Sequence, residues 1–387
     1  MPKTGQNKLV SPATKPQLLS PSLGAPVAPT GGWFGVSPLT VLVNLSEALY
    51  SISGIFQHNP MNLGDGWPAM YTRSGSSLAI EIVEVAPRDG LQNEPARLTS
   101  AEKAELVRRA VEAGARRIEV CSFVSSRAVP QMADAADVMA RLRGEDDLKA
   151  AGVSLIGVAL NRRGVDRALA AEIDEVNFVV IASETFNQRD QGGSVRATMS
   201  ELAVAAETAR REHVPFSLTI GAAFGCPFEG EVPPDRVLAL AQEAVSLGAG
   251  EIAVADTIGV ADPIAVEHML LALRAALPQV CMRGHFHDTR NTGLANAYAA
   301  WRAGATALDA SIGGMGGCPF APSASGNIAT EDLAYMLERM GVSTGLDLRR
   351  LIETSTWLAA RLGKSLPSSV SRAGGFPAGQ PLSSASA

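Results

Sequence analysis

The stretch "AVSLGAGEIAVAD", residues 244–256, decides the fold. An apolar helical pattern stops at Gly248, and a short β-rich run follows at once. Glycine just past a helix end is the expected C′ residue, and an uninterrupted apolar run suits a strand covered on both faces in a parallel sheet. The same unit returns as "AVEAGARRIEV" (110–120) and "AWRAGATALDAS" (300–311). Helix starts are marked too: Thr99 and Glu102 form a capping box, and Asp262-Pro263 offers an N-cap with a first-turn proline.

Working outward, period and punctuation predict strands over 80–85, 117–122, 153–159, 175–181, 216–222, 251–255, 281–287 and 307–311, with helices in most gaps. Such alternation predicts an α/β chain folded as a TIM (β/α)8 barrel, with a doubly wound open sheet as the alternative. No GxGxxG follows the first strand, which weakens the dinucleotide-binding form of that alternative. The barrel is expected over 78–343 and a small C-terminal helical segment over 344–366. Residues 1–77, rich in Pro, Ser, Thr and Gly at their start and without period later, read as a poorly ordered low-complexity extension. Met70, just before the first strand, reads as an alternative start. Residues 367–387 read as a flexible tail.

Composition narrows the function. The 387 residues are 46% apolar, enough for a large core, and the net charge of −6 comes without a Lys/Arg cluster, arguing against nucleic acid as a partner. The stretch 33–56 is interrupted by Pro38, Asn44 and Glu47, so no membrane span is expected. The first arginine is Arg73, which leaves no Arg-rich transit signature. Four scattered cysteines without a CxxC pair point to a reducing, cytoplasmic location.

Barrel catalysis belongs at the carboxyl ends of strands. There the sequence puts Arg88 and Asp89 after the first strand, Asp256 after the sixth, His285 and His287 at the seventh, and Cys318 beyond a glycine-rich loop after the eighth. Glu119 alternates with outward Ile118 and Val120, so it faces the interior. His285 and His287, two residues apart on one strand, project to the same side, roughly 6–7 Å apart along the backbone. With an oxygen from Asp89 they suit a divalent ion, Mg²⁺ or Mn²⁺. Blander readings exist: Arg88–Asp89 as an ion pair closing the mouth, Glu119 as a buried partner of Arg88, Cys318 as an inert small hydrophobe, and glycines 313, 314, 316 and 317 as a tight turn. Their shared placement at one end favours a site. Cys121, Cys226 and Cys281 read as structural, and His213 and His268 as surface residues.

"VEVAPRDGLQNE" (83–94), "SFVSSRAVPQMAD" (122–134), "GCPFEG" (225–230), "DTIGV" (256–260), "HFHDT" (285–289) and "GGMGGCPFAPSASGNIATEDLAYML" (313–337) together resemble the 3-hydroxy-3-methylglutaryl-CoA (HMG-CoA) lyase family. It lies within the metal-dependent aldolase-like TIM barrels that also include isopropylmalate and homocitrate synthases. The resemblance covers roughly 80–372. It implies metal ligands at Asp89, His285, His287 and Asn327, catalysis by Arg88, Asp256 and Cys318, and support from Gln92, Glu119 and Glu331; His285 is added to the catalytic candidates as an alternative base. The implied reaction is cleavage of an acyl-CoA substrate, HMG-CoA, to acetyl-CoA and acetoacetate, as in leucine breakdown and ketone-body formation, and the expected assembly is a homodimer. Arg88 is placed to stabilise the enolate oxygen and Cys318 to transfer a proton, the base lying between Asp256 and His285. Arg290-Asn291-Thr292 replaces a run with tyrosine and glycine, Ala86 and Ala255 replace glycines, and Ser126-Arg127-Ala128 replaces a Pro-Lys-Trp-type run. These bear on the acyl substrate: a larger 3-hydroxy-3-acylglutaryl-CoA is one alternative. A synthase joining acetyl-CoA to a 2-oxo acid is another, disfavoured because about 50 residues after the barrel are too few for a regulatory domain.

Overall fold

The computed structural model describes residues 78–144, 148, 150–317 and 326–377. The expected extension over 1–77, Cys318 and the tail from 378 lie outside these residues. The three recurring units end their helices as the sequence requires: Gly114, Gly248 and Gly304 all take positive φ, at 106°, 110° and 90°. An L side chain is strained there, so glycine is what lets each helix turn straight into its strand. Thr99 Oγ1 accepts from the Glu102 amide at 3.2 Å while Glu102 accepts from the Thr99 amide at 2.9 Å. Asp262 Oδ1 accepts from Ile264 and Ala265 at 2.9 and 3.0 Å.

The strands are β1 (Glu81–Glu84), β2 (Arg117–Ser122), β3 (Ser154–Ala159), β4 (Glu175–Ile181), β5 (Phe216–Gly221), β6 (Glu251–Asp256), β7 (Cys281–Phe286) and β8 (Ala307–Ala310). They close in chain order into a barrel, with β1 parallel to β8. This is the TIM barrel expected from the alternation, with helices outside it.

Strand parity divides the interior in two. Outward residues such as Phe178, Val180, Leu218, Ile220 and Ile252 are buried against the helices, each worth about 1.5–3 kcal/mol of transfer free energy. Inward residues are largely polar. A small apolar cluster of Val83, Val85, Ile156 and Ala307 sits apart from the main core. Around it run ion pairs. At the start of the strands, Arg117 meets Glu175 at 2.7 Å, Glu251 at 2.7 Å and Glu81 at 3.2 Å. The fully buried Arg283 reaches Glu251 at 3.1 Å and Asp309 at 3.5 Å.

After β8 come helices Thr330–Arg339 and Leu348–Leu362, the second capped by Asp347 and ended by Gly363 at φ 66°. Within the segment 367–387 expected as a flexible tail, the described part carries a short helix, Ser369–Ala373. Asp332 fixes it, accepting from the Ser368 hydroxyl and from the Ser369 and Val370 amides at 2.7–3.0 Å.

Candidate active site

Directly after β1 the chain makes a wide turn, Ala86–Gly90, with the Gly90 amide donating to Val85 at 3.1 Å. Pro87 fixes the first turn, and the next two residues, Arg88 and Asp89, point over the barrel mouth. Arg88 Nη1 donates to Asp89 Oδ1 at 2.7 Å, and the same guanidinium pairs with Glu119 on β2. Glu119 Oε2 accepts from Asn177 at 2.9 Å, and Asn177 Oδ1 accepts from Thr219 at 3.0 Å. The bland readings of Arg88–Asp89 and Arg88–Glu119 as ion pairs therefore describe real contacts, but the contacts lie in the wall of a cavity.

That cavity holds about 130 Å³ and opens at the carboxyl ends of the strands, lined on its charged side by Arg88, Asp89, Glu119, His285, His287 and Asp309. Val179, Ile181 and Phe186 line it as well, together with Gln92 and Asn93. Asp89 Oδ2 is the hub. His287 Nε2 lies 3.7 Å away and His285 Nε2 4.0 Å away, and Asn327 Nδ2 donates to it at 2.7 Å. Asn327 is brought there by a bridge pairing it with His287 across the mouth. Gly316, at φ 128°, makes room: a Cβ on it would lie 2.6 Å from Asn327 Nδ2.

The electrostatics follow from these neighbours. Burial pushes the Asp89 carboxyl up, but Arg88, His287 and His285 outweigh it and hold the group well below the usual carboxylate range. Burial opposes charge on His285, yet the hydrogen bond and charge of Asp309, aided by Asp89, raise its pKa. Ligand atoms of Asp89, His285 and His287 all lie within 4.8 Å of one another. Two buried polar atoms beside them, His287 Nδ1 and Asn327 Oδ1, have no hydrogen-bond partner among the described residues. A carboxylate, two imidazoles and orphaned polar atoms fit a divalent cation, and burying such groups unpaired is otherwise costly.

Other expected residues are placed differently. Asp256 is not among the cavity residues, although its neighbours Ala255 and Thr257 are. Parity turns it outward from β6, and its carboxylate accepts from the Val260 and Ala261 amides at 2.9 Å each. These bonds brace the loop after β6, and Asp256 still lies near enough to His287 and His285 for their charge to favour its ionised form against burial. His285 Nδ1 is engaged by Asp309 at 3.0 Å, so its Nε2 is the nitrogen left towards the cluster. Glu331 lies beneath the loop after β8, where both carboxylate oxygens accept from the Gly313 amide at 3.0 Å. Asn291 takes φ 57°, a left-handed conformation asparagine tolerates. Arg290 donates to the Ile258 and Gly259 carbonyls, tying the loops after β6 and β7 together.

Sequence reasoning missed Asp309, Asn177 and Thr219. Asp309 sits within "AWRAGATALDAS", and its parity with Ala307 was the available signal.

A closed eight-stranded barrel with a charged cavity at the carboxyl ends of its strands has the build of a TIM-barrel enzyme. Residues 79–358 match the family described as HMGL-like. The (R)-citramalyl-CoA lyase of Chloroflexus aurantiacus is 46% identical over 302 residues, covering 76% of this chain and 95% of that protein. A hydroxymethylglutaryl-CoA lyase of Bacillus subtilis is 39% identical over 289 residues, covering 75% of this chain and 95% of that protein. Among solved structures, an HMG-CoA lyase from Acinetobacter baumannii in complex with coenzyme A and 3-methylmalate superposes with a TM-score of 0.74 at 36% identity, covering 79% of this chain and 98% of that one. The chain belongs to the HMGL-like family of lyases.

Proposed function

We propose that this chain cleaves a carbon–carbon bond in a 3-hydroxy-3-methyl acyl-CoA thioester and releases acetyl-CoA. The observation that carries the reading is the convergence of Asp89, His285 and His287 beside Arg88 in a cavity at the barrel mouth. The proposed substrate is HMG-CoA, giving acetoacetate. A second substrate, (R)-citramalyl-CoA giving pyruvate, is favoured by the 46% identity to the Chloroflexus enzyme, against 39% for the Bacillus lyase.

Both substrates demand the same steps. The C3 hydroxyl loses its proton, C3–O becomes a carbonyl, the C2–C3 bond breaks, and its electron pair passes into the thioester enolate, which is protonated at C2. Asp89, His285 and His287, with Asn327 alongside, would hold a divalent cation, Mg²⁺ or Mn²⁺. When bound, such an ion supplies positive charge that favours loss of the hydroxyl proton. Arg88 cannot lose its charge and is locked by Asp89 and Glu119, so its remaining N–H groups are preorganised for an enolate oxygen. Val179, Ile181 and Phe186 give the reacting carbons an apolar wall that limits water. Cys318 is proposed to transfer the proton at C2. For the base, the arrangement leaves Asp256 and His285 poorly exposed, the first on backbone amides and the second between Asp309 and the cluster.

The test is product analysis by mass spectrometry with HMG-CoA and (R)-citramalyl-CoA, in EDTA and after adding Mg²⁺ or Mn²⁺. Metal-dependent acetyl-CoA with either acetoacetate or pyruvate supports the reading and selects the substrate; no acetyl-CoA from either overturns it. Cys318→Ala is expected to keep the metal and turn over poorly, and full turnover would remove its role.

A further inference from the structure

We infer that Asp309, backed by the buried Arg283, is a positioning residue that fixes the tautomer and ring orientation of His285. This rests on the reading of Asp89, His285 and His287 as a cation centre and deepens it. Asp309 lies on β8 in register with His285 on β7. Its Oδ2 is 3.0 Å from His285 Nδ1, while Nε2, on the opposite side of the ring, lies 4.0 Å from Asp89 Oδ2. A neutral imidazole carries one N–H and one lone pair, and a carboxylate can only accept. Pairing with Asp309 therefore puts the hydrogen on Nδ1 and leaves the lone pair on Nε2, facing the cluster.

Asp309 is buried, and its charge has a partner of its own. Its other oxygen, Oδ1, has Arg283 Nη1 at 3.5 Å, and Arg283 is fully buried. Burying a carboxylate is costly unless a counter-charge lies beside it, and the guanidinium supplies one. Arg283 is itself anchored by Glu251 at 3.1 Å, and Glu251 by Arg117 at 2.7 Å. An ionic column thus runs from the base of the strands to one ring nitrogen at the mouth. Among the described residues His287 has no such support, since its buried Nδ1 finds no partner there. Of the two imidazoles, it is His285 whose tautomer the described residues fix.

The test uses the full chain and has two readouts besides turnover. In alkaline buffer, ¹⁵N imidazole shifts, assigned with His285→Gln, should report an Nδ1–H tautomer for His285; an Nε2–H tautomer overturns the inference without any variant having to fold. Mn²⁺ titration by electron paramagnetic resonance should show Asp309→Ala weakened about 10–100-fold, the usual effect of removing a partner behind a ligand. Asp309→Asn, whose amide oxygen can still accept, should recover part of the loss. If His287→Ala loses Mn²⁺ while Asp309→Ala binds as tightly as the unmodified protein, the positioning role falls and the cation centre stands. If the unmodified protein binds no Mn²⁺, both fall.

Discussion

Two arginines gather carboxylates at opposite ends of one barrel, and the two gatherings are finished to different degrees. At the strand starts, Arg117 faces Glu175 and Glu251 with paired bonds of 2.7–2.9 Å, and Ser217 donates to Glu175 as well. Donors and acceptors there consume one another. At the strand ends, Arg88 is also locked between carboxylates, but Asp89 keeps an oxygen aimed at two imidazoles, and the neighbouring His287 Nδ1 and Asn327 Oδ1 find no partner among the described residues. The hollow beside Arg117 is the larger, about 770 Å³ against about 130 Å³. Size misleads here. Chemistry needs valences left open, and those lie at the smaller cavity.

The sharpest way to break this comparison is His287→Ala. It should abolish Mn²⁺ binding and lower turnover by about three orders of magnitude or more, since a positioned Lewis acid is worth several kcal/mol; turnover and metal content measured together would check it. At the other end, Arg117→Met should leave Glu175 and Glu251 buried without a counter-charge and destabilise the fold by about 3–5 kcal/mol. Denaturant unfolding would measure that loss, and the protein remaining folded should still bind Mn²⁺. If Arg117→Met instead lost activity at unchanged stability, the division between a structural end and a chemical end would be wrong. Arg88→Lys should keep Mn²⁺ and lose about 10²–10³ in kcat, because a point charge replaces a fork aimed at the enolate oxygen. Steady-state kinetics alongside Mn²⁺ titration would separate the two effects.

The smallest effect concerns Glu84, wholly buried at the end of β1. Burial outweighs the bonds it accepts from Ile312, Thr330 and Ala86, and its pKa is pushed up to about 8. Unfolded, the same group titrates in the ordinary carboxylate range, so between the two values the folded state holds the extra proton. Its contribution to stability is therefore full below the ordinary range and lost as pH rises through about 8. Glu84→Gln mimics the protonated form and should flatten this dependence of Tm on pH. Thermal unfolding in acidic and alkaline buffers, with equal slopes for the two proteins, would contradict it.

The barrel was legible because its signals are local. A glycine stop followed by a β-rich run needs no distant partner, and Gly114, Gly248 and Gly304 carry out that function in the structure. Arg88, Asp89, His285 and His287 were legible because they fall at strand ends. Asp256 shows what that rule leaves out, since a residue at a strand end has two faces to choose from. Its parity with Ile252 and Val254 sends it outward to the loop amides. Asp309 was hidden for a different reason. Its significance depends on register with β7, and strand register is set by neighbours far away in sequence.

The seam where β1 meets β8 has one more consequence. Asp89 follows the first strand and Asn327 follows the last, yet they touch at 2.7 Å. The centre is thus assembled from both ends of the barrel sequence, and a chain still emerging from the ribosome has no such centre until residues beyond β8 are made. An ion bound there would act as a clasp on the closure, favouring the joined state by mass action. Chelation should then loosen the contact between first and last strands before any other, and amide exchange along β1 and β8 would register it.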